Sequence, residues 1–213
     1  MVFDMDGVIV DSTRVHTEAW RAYLDRQGVG AVDIGPRMLG KHNADIVRDF
    51  FGGAELSSEA VAAHGREKEK LYREMIGPKL QRLLVPGIRE FLARHRDLPL
   101  AVASNAEPEN VAFVLDNSGL RPCFHTVIDG HEVERPKPDP EIYLTAAARI
   151  GVSPADCLVF EDSHIGIAAA KAAGAKVVGV ATTVSEFPQV DLTIRDFKDP
   201  ELERWLRDTF CCA

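Results

Sequence analysis

The sequence predicts a doubly wound α/β fold, a parallel sheet flanked by helices, with an all-helical domain inserted after the first strand. From Leu83 onward, short and nearly all-apolar runs alternate with single helical patterns, as parallel strands covered on both faces do. A further run of the same kind, "VFDMD", spans Val2–Asp6. Between Thr13 and Arg82, by contrast, there is no credible strand, only helical periodicity.

Taken in order, the first strand is "VFDMD". "VHTEAWRAYLDRQG" then puts Val15, Ala19 and Tyr23, with Trp20 and Leu24 one step round, on one helical stripe that Gly28 ends. "NADIVRDFFGG" opens on Asn43 as a capping residue and pairs Ile46 with Phe50 and Val47 with Phe51. Ser57 to Ile76 reads as a long charged helix closed by Gly77-Pro78. The remaining strands are expected at Pro99–Ser104, His125–Gly130, Cys157–Asp162 and Lys176–Val180, with a short one at Asp191–Ile194. Helices are expected at Ile88–His95, Pro108–Ser118, Glu141–Ile150 and Ile165–Ala173. The core domain is thus expected to comprise residues 1–12 and 83–213, and the inserted helical domain residues 13–82. An insert at that point is expected over the C-terminal edge of the sheet, where open α/β sheets bind ligands.

Composition narrows the class. With 213 residues, 46% hydrophobic and 27% charged, the chain is long enough for one good core and a smaller module. A formal net charge of −8 argues against non-specific binding to nucleic acid or an anionic membrane. No basic start followed by an apolar run is present, so no signal peptide is expected, and "IGIAAAKAAGAKVVGVA" carries two lysines and is not expected to span a membrane. The four cysteines show no metal-ligand spacing, which fits a reduced, cytoplasmic setting. A monomer is the starting expectation.

The polar residues at the strand ends carry the chemistry. The first strand ends in Asp4-Met5-Asp6-Gly7, the second in Ser104-Asn105, and "CLVFED" in Glu161-Asp162-Ser163. Carboxylates at the end of a buried strand cost free energy unless something compensates them. They either face water as an ordinary turn or hold a cation and do chemistry. C-terminal ends of parallel strands converge on one crevice, and Mg²⁺ prefers carboxylate and carbonyl oxygens. Lys137, in "ERPKPDPEIY", is held by flanking prolines just before a helix and can supply a positive charge to the same pocket.

These residues resemble the haloacid dehalogenase superfamily of phosphotransferases, in particular its β-phosphoglucomutase-like branch, along essentially the whole chain. "DMDGVIVDS" looks like the first motif, Ser104 matches the second, Lys137 in "KPDP" the third, and "EDS" with "HIGIAAAKAAG" the fourth. The resemblance implies a Rossmann-like core with a helical cap, and Asp4 as nucleophile forming an aspartyl phosphate. It implies Asp6 as general acid and base. It also implies Mg²⁺ held by the Asp4 side chain, the Asp6 backbone carbonyl and Asp162, with Glu161 directly or through water. Gly7 lets the backbone turn past the phosphate, Ser104 and the Asn105 amide hold phosphoryl oxygens, and Lys137 offsets charge in the transition state. In the cap, His16 resembles a family histidine near the acid/base, with a solvent-facing helical histidine as the rival reading, and Gly40 matches the family's cap loop.

The same core serves hydrolases and mutases. A mutase needs a second phosphate site, which in the family draws on basic cap residues and a lysine after the second motif. The corresponding positions here are Leu39, Asn43 and Glu107, and Glu107 repels a second phosphate. Arg37, Lys41 or His42 are the basic residues that can replace the missing charge. The balance favours Mg²⁺-dependent hydrolysis of a small phosphorylated metabolite, a sugar phosphate, with the mutase as alternative. A non-enzymatic phospho-receiver also gathers acidic strand ends, a Ser and a Lys, but has no reason to carry a large helical insert.

Overall fold

The computed structural model describes residues 1–30, 34, 43–52, 56–184 and 186–210. Among them, six strands form one sheet: β1 (Val2–Phe3), β2 (Ala101–Ala103), β3 (Thr126–Ile128), β4 (Leu158–Glu161), β5 (Lys176–Val180) and β6 (Leu192–Ile194). Their order is β3-β2-β1-β4-β5-β6 and every pairing is parallel. The chain leaves β1 for β2 on one side and later returns to β4 on the other. β1 is therefore the switch point of the sheet, beside which doubly wound folds place their ligand crevice.

Alternation along the strands gives the sheet two different faces. Val2, Ala101, Ala103, Val159 and Val177 share a cluster with Tyr143, Ala146 and Ala147 of α7 (Glu141–Arg149) and with Ala169 and Ala170 of α8 (His164–Ala172). Small side chains on both partners let these helices approach the sheet closely. The other face is aromatic. Phe3 stacks on Phe160 with centroids 4.8 Å apart, and Phe91 of α5 (Ile88–Arg94) and Phe197 close over the pair. Such ring pairs are worth roughly 0.5–1.5 kcal/mol each beyond the area they bury.

The chain divides into two compact units, Met1–Asp11 with Leu80–Ala213, and Ser12–Lys79. In the second, α1 (Thr13–Arg26), α2 (Asn43–Phe51) and α3 (Ser58–Ile76) bury one apolar cluster built on Trp20, Leu24, Ile46, Val47 and Val61. Ser57 caps α3 by accepting a hydrogen bond from the Ala60 amide at 3.2 Å. In the first unit, the short α4 (Leu80–Leu83) packs beside α6 (Pro108–Ser118), where the Gln81 side chain donates to the Asn117 carbonyl at 2.8 Å. A closing helix, α9 (Pro200–Phe210), buries Leu202 and Leu206. No helix among the described residues is long and apolar enough to cross a membrane.

Candidate active site

The site grows out of the end of β1. The Asp4 amide still donates to the Phe160 carbonyl of β4 at 3.0 Å, so the strand direction persists and carries the Asp4 carboxylate to the sheet edge. The chain then folds into a tight loop in which the Gly7 amide donates to the Val10 carbonyl at 2.7 Å and the Met5 carbonyl accepts from Ile9 and Val10. Gly7 has a φ of 80°, which favours glycine. Space demands glycine as well: a Cβ at Gly7 would lie 1.8 Å from Asp162 Oδ2. Asp162 follows β4 directly, so this close approach brings the first and fourth motifs together.

Lys137 crosses the same edge from the loop before α7. Its buried ammonium donates to Asp4 Oδ1 at 2.6 Å, Glu161 Oε1 at 2.7 Å and the Ala103 carbonyl at 3.0 Å. All three N–H directions of the ammonium are therefore used. The Lys137 amide donates to the Asn105 side chain at 3.2 Å, tying the third motif to the second. Ser104 is buried, and its hydroxyl accepts from the Ala106 amide at 3.1 Å. A Cβ at Gly130 would lie 2.5 Å from the Asn105 carbonyl, so the loop after β3 also passes close to the second motif.

Both oxygens of Glu161 are engaged by protein donors. Its Oε1 accepts from Lys137 and from the Tyr143 hydroxyl, both at 2.7 Å. Its Oε2 accepts from the Asp162 amide, the Ser163 amide and the Ser163 hydroxyl at 3.0–3.1 Å. A carboxylate offers about four lone-pair positions, and five donors fill them. A Cβ at Gly166 would lie 1.8 Å from Glu161 Oε1, so the first turn of α8 is built around this carboxylate. Glu161 anchors Lys137 and the start of α8.

Electrostatics separate the carboxylates further. Burial, reinforced by Glu161 and Asp6 against the pull of Lys137, pushes Asp4 up to about 7. Burial together with Glu161 and Asp4 raises Asp162 well above the usual carboxylate range. Glu161 is lowered: burial opposes this, but its contact with Lys137 and its other donors prevails. Burial alone would lower the Lys137 ammonium, yet Asp4 and Glu161 raise it. One cation cannot compensate three buried carboxylates, and Lys137 is shared almost equally between Asp4 at 2.6 Å and Glu161 at 2.7 Å.

That imbalance and the oxygen-only donor set fit a hard divalent cation such as Mg²⁺. Among the described residues no three acidic, cysteine or histidine side chains converge as an all-side-chain metal site would require. Two carboxylates that are not fully engaged by protein donors, Asp4 and Asp162, are the residues here that would fit such a cation. Asp6 is half-buried, and its charge adds to the upward shift of both.

Two residues that the sequence did not single out complete the edge. The Thr182 hydroxyl, just beyond β5, donates to the Gly7 carbonyl at 2.5 Å, and the Thr183 side chain hydrogen-bonds Asp162. His16 lies in the helical unit, where its Nδ1 accepts from the Lys68 ammonium at 2.9 Å and its ring stacks on Tyr72 at 3.8 Å. The rival reading of His16 as a solvated helical side chain does not describe this packing. Gly40 and Lys41, with Arg37, Leu39 and His42, lie outside the described residues. Asn43 donates to Glu69 at 2.5 Å.

A family profile described as haloacid dehalogenase-like hydrolase matches residues 1–174. The chain belongs to the haloacid dehalogenase-like hydrolases. It is 31% identical over 210 residues to a β-phosphoglucomutase of Bacillus subtilis (strain 168), covering 95% of this chain and 92% of that protein. It is 34% identical over 183 residues to the fructose-1-phosphate phosphatase YqaB of Escherichia coli (strain K12), covering 84% of this chain and 95% of that one. Among solved structures, a family IA, variant 3 hydrolase of this superfamily from Entamoeba histolytica superposes with a TM-score of 0.84 at 27% identity, over 95% of both chains. The parallel core is thus that of a haloacid dehalogenase-like enzyme, and the four strand-end motifs occupy its sheet edge.

Proposed function

We propose that this haloacid dehalogenase-like enzyme is a phosphatase that hydrolyses a small sugar phosphate through a phosphorylated Asp4. The observation that carries the reading is the arrangement at the end of β1: a buried Asp4 carboxylate gripped through one oxygen by Lys137, with Asp162 packed on Gly7 and Asp6 two residues along.

Lys137 fixes Asp4 Oδ1 and leaves the second oxygen to attack phosphorus. Bound Mg²⁺, held by the Asp4 and Asp162 side chains and the Asp6 carbonyl, would offset the charge between carboxylate and phosphate. Asp6 gives a proton to the departing alkoxide and later takes one from the attacking water, a role worth about 10²–10⁴ in rate. Ser104 and the Asn105 amide receive the phosphoryl oxygens, and Gly7 leaves the backbone room for them. Glu161 keeps Lys137 in place. The YqaB relative is a fructose-1-phosphate phosphatase, which supports a sugar phosphate as substrate.

The mutase reading draws on the Bacillus relative. A bisphosphate needs a second cationic site, and the buried ammonium of the helical unit, Lys68, is already neutralised by Glu69 at 2.7 Å. Glu107, at the N-terminal boundary of α6, adds negative charge after the second motif. Both features favour a monophosphate. The test is a phosphate-release screen over sugar phosphates with Mg²⁺, run beside conversion of β-glucose 1-phosphate to the 6-phosphate with added bisphosphate. Stoichiometric phosphate release is expected; efficient isomerisation with little release would overturn the hydrolase in favour of the mutase.

A further inference from the structure

We propose that Tyr143 is a positioning residue for phosphoryl transfer, holding the Lys137 ammonium against Asp4 through both its hydroxyl and its ring. The inference rests on the functional reading above and concerns a residue that no motif assigns.

Tyr143 lies in the first turn of α7 and is buried at 2% exposure. Its ring faces the Lys137 ammonium at 4.8 Å from the centroid, and its hydroxyl donates to Glu161 Oε1 at 2.7 Å. That oxygen is also the one that accepts from Lys137. Phenylalanine would fill the same apolar volume. The hydroxyl adds only a polar group that must be satisfied once buried, and its partner is the carboxylate that competes with Asp4 for the ammonium.

Lysine carries its charge on a flexible four-carbon stem, so its position is set by what surrounds it. Two buried carboxylates flank the ammonium at almost equal distance, 2.6 and 2.7 Å. The Tyr143 hydroxyl satisfies part of Glu161 Oε1 and so weakens its hold on the ammonium. The ring face attracts the same cation from a third side. Removing the hydroxyl lets Glu161 draw the ammonium away, and Asp4 loses the contact that orients its carboxylate.

The test compares Tyr143→Phe with wild type, using p-nitrophenyl phosphate and Mg²⁺ for turnover and the metal-free protein for a second readout. A misplaced catalytic group costs rate rather than binding, so kcat is expected to fall about tenfold while KM changes less than about twofold. In the metal-free wild type, the ¹⁵N-edited NMR signal of the Lys137 ammonium should be shielded from water exchange. In Tyr143→Phe that signal should broaden while the melting temperature changes little. An unchanged kcat with an unchanged ammonium signal overturns the proposal. So does a loss confined to melting temperature. A wild type that releases no phosphate from any phosphomonoester counts against the functional reading instead, and the ammonium signal alone then decides the role of Tyr143.

Discussion

In the helical unit a buried ammonium meets a buried carboxylate of the next residue, Lys68 and Glu69 at 2.7 Å, whereas in the core two buried carboxylates, Asp4 and Glu161, share Lys137 and a third, Asp162, is buried beside them. The helical ammonium and carboxylate are paired with each other. Asn43 also donates to Glu69, His16 accepts from Lys68, and the Trp20 ring lies 5.1 Å from the ammonium. Burial works against the Glu69 charge, but Lys68 and the Asn43 hydrogen bond hold it down to about 2, while burial and its acidic neighbours push Asp4 up to about 7. Buried charge matched by its own unit is structure. Under the proposed function, buried charge left unmatched is held for a divalent cation and a phosphoryl group.

The largest effect that would break this contrast is at Asp4. Asp4→Asn should reduce phosphate release by at least about 10³-fold, since the covalent route is lost. The same change should raise the melting temperature in EDTA, because an unmatched buried carboxylate is removed and Lys137 keeps Glu161 as partner. The pH dependence has a fixed sign. Asp4 binds its proton more tightly folded than unfolded, so its contribution to metal-free stability is greatest below its ordinary value of 3.8 and is lost as pH rises through about 7. The gain from Asp4→Asn should therefore be large at alkaline pH and fade on acidification. A fully active variant, or one that melts lower at alkaline pH, would contradict the contrast.

At Glu69 the opposite stability change is expected. Glu69→Gln leaves Lys68 buried without its carboxylate and should cost about 3 kcal/mol in denaturant unfolding. The folded-state value of Glu69 is depressed, so its contribution is complete above its ordinary 4.5 and is lost as pH falls toward about 2. The stability gap between wild type and Glu69→Gln should thus be constant near neutrality and narrow below about 4.5. A gap unchanged through that range would remove the helical pair from the comparison.

A smaller effect sharpens the core side. Gly7→Ala must displace the Asp162 carboxylate, both for want of space and because its φ disfavours a side chain. Isothermal titration of the two proteins should show Mg²⁺ binding about 10- to 100-fold weaker in the variant, as for other groups that orient a ligand. Equal affinity would mean that Asp162 is not a ligand.

How much of this was legible differs from residue to residue. The strands could be read because short apolar runs alternate with helical patterns, and the topology then carries Asp4, Ser104, Lys137 and Asp162 to one edge. Whether Glu161 joins Asp162 directly or through water could not be read from the sequence. They are adjacent and chemically alike, and the choice depends on the amides at the start of α8 and on the missing side chain of Gly166. Tyr143 reads as an ordinary core residue of an amphipathic helix, since its hydroxyl leaves no trace in the apolar spacing. Thr182 and Thr183 follow β5 with no pattern, and only the sheet order brings them beside Gly7 and Asp162. Helix α9 was not among the expected elements, because Leu202 and Leu206 alone form its buried stripe.

The most direct measurement is mass spectrometry of the Asp6→Asn variant, quenched in acid after brief incubation with Mg²⁺ and a turned-over sugar phosphate. Without its general base the variant should retain one phosphoryl group on the peptide carrying Asp4, and none when EDTA replaces the metal. A variant that consumes substrate while that peptide stays unmodified, or that carries the phosphoryl group elsewhere, would contradict the account.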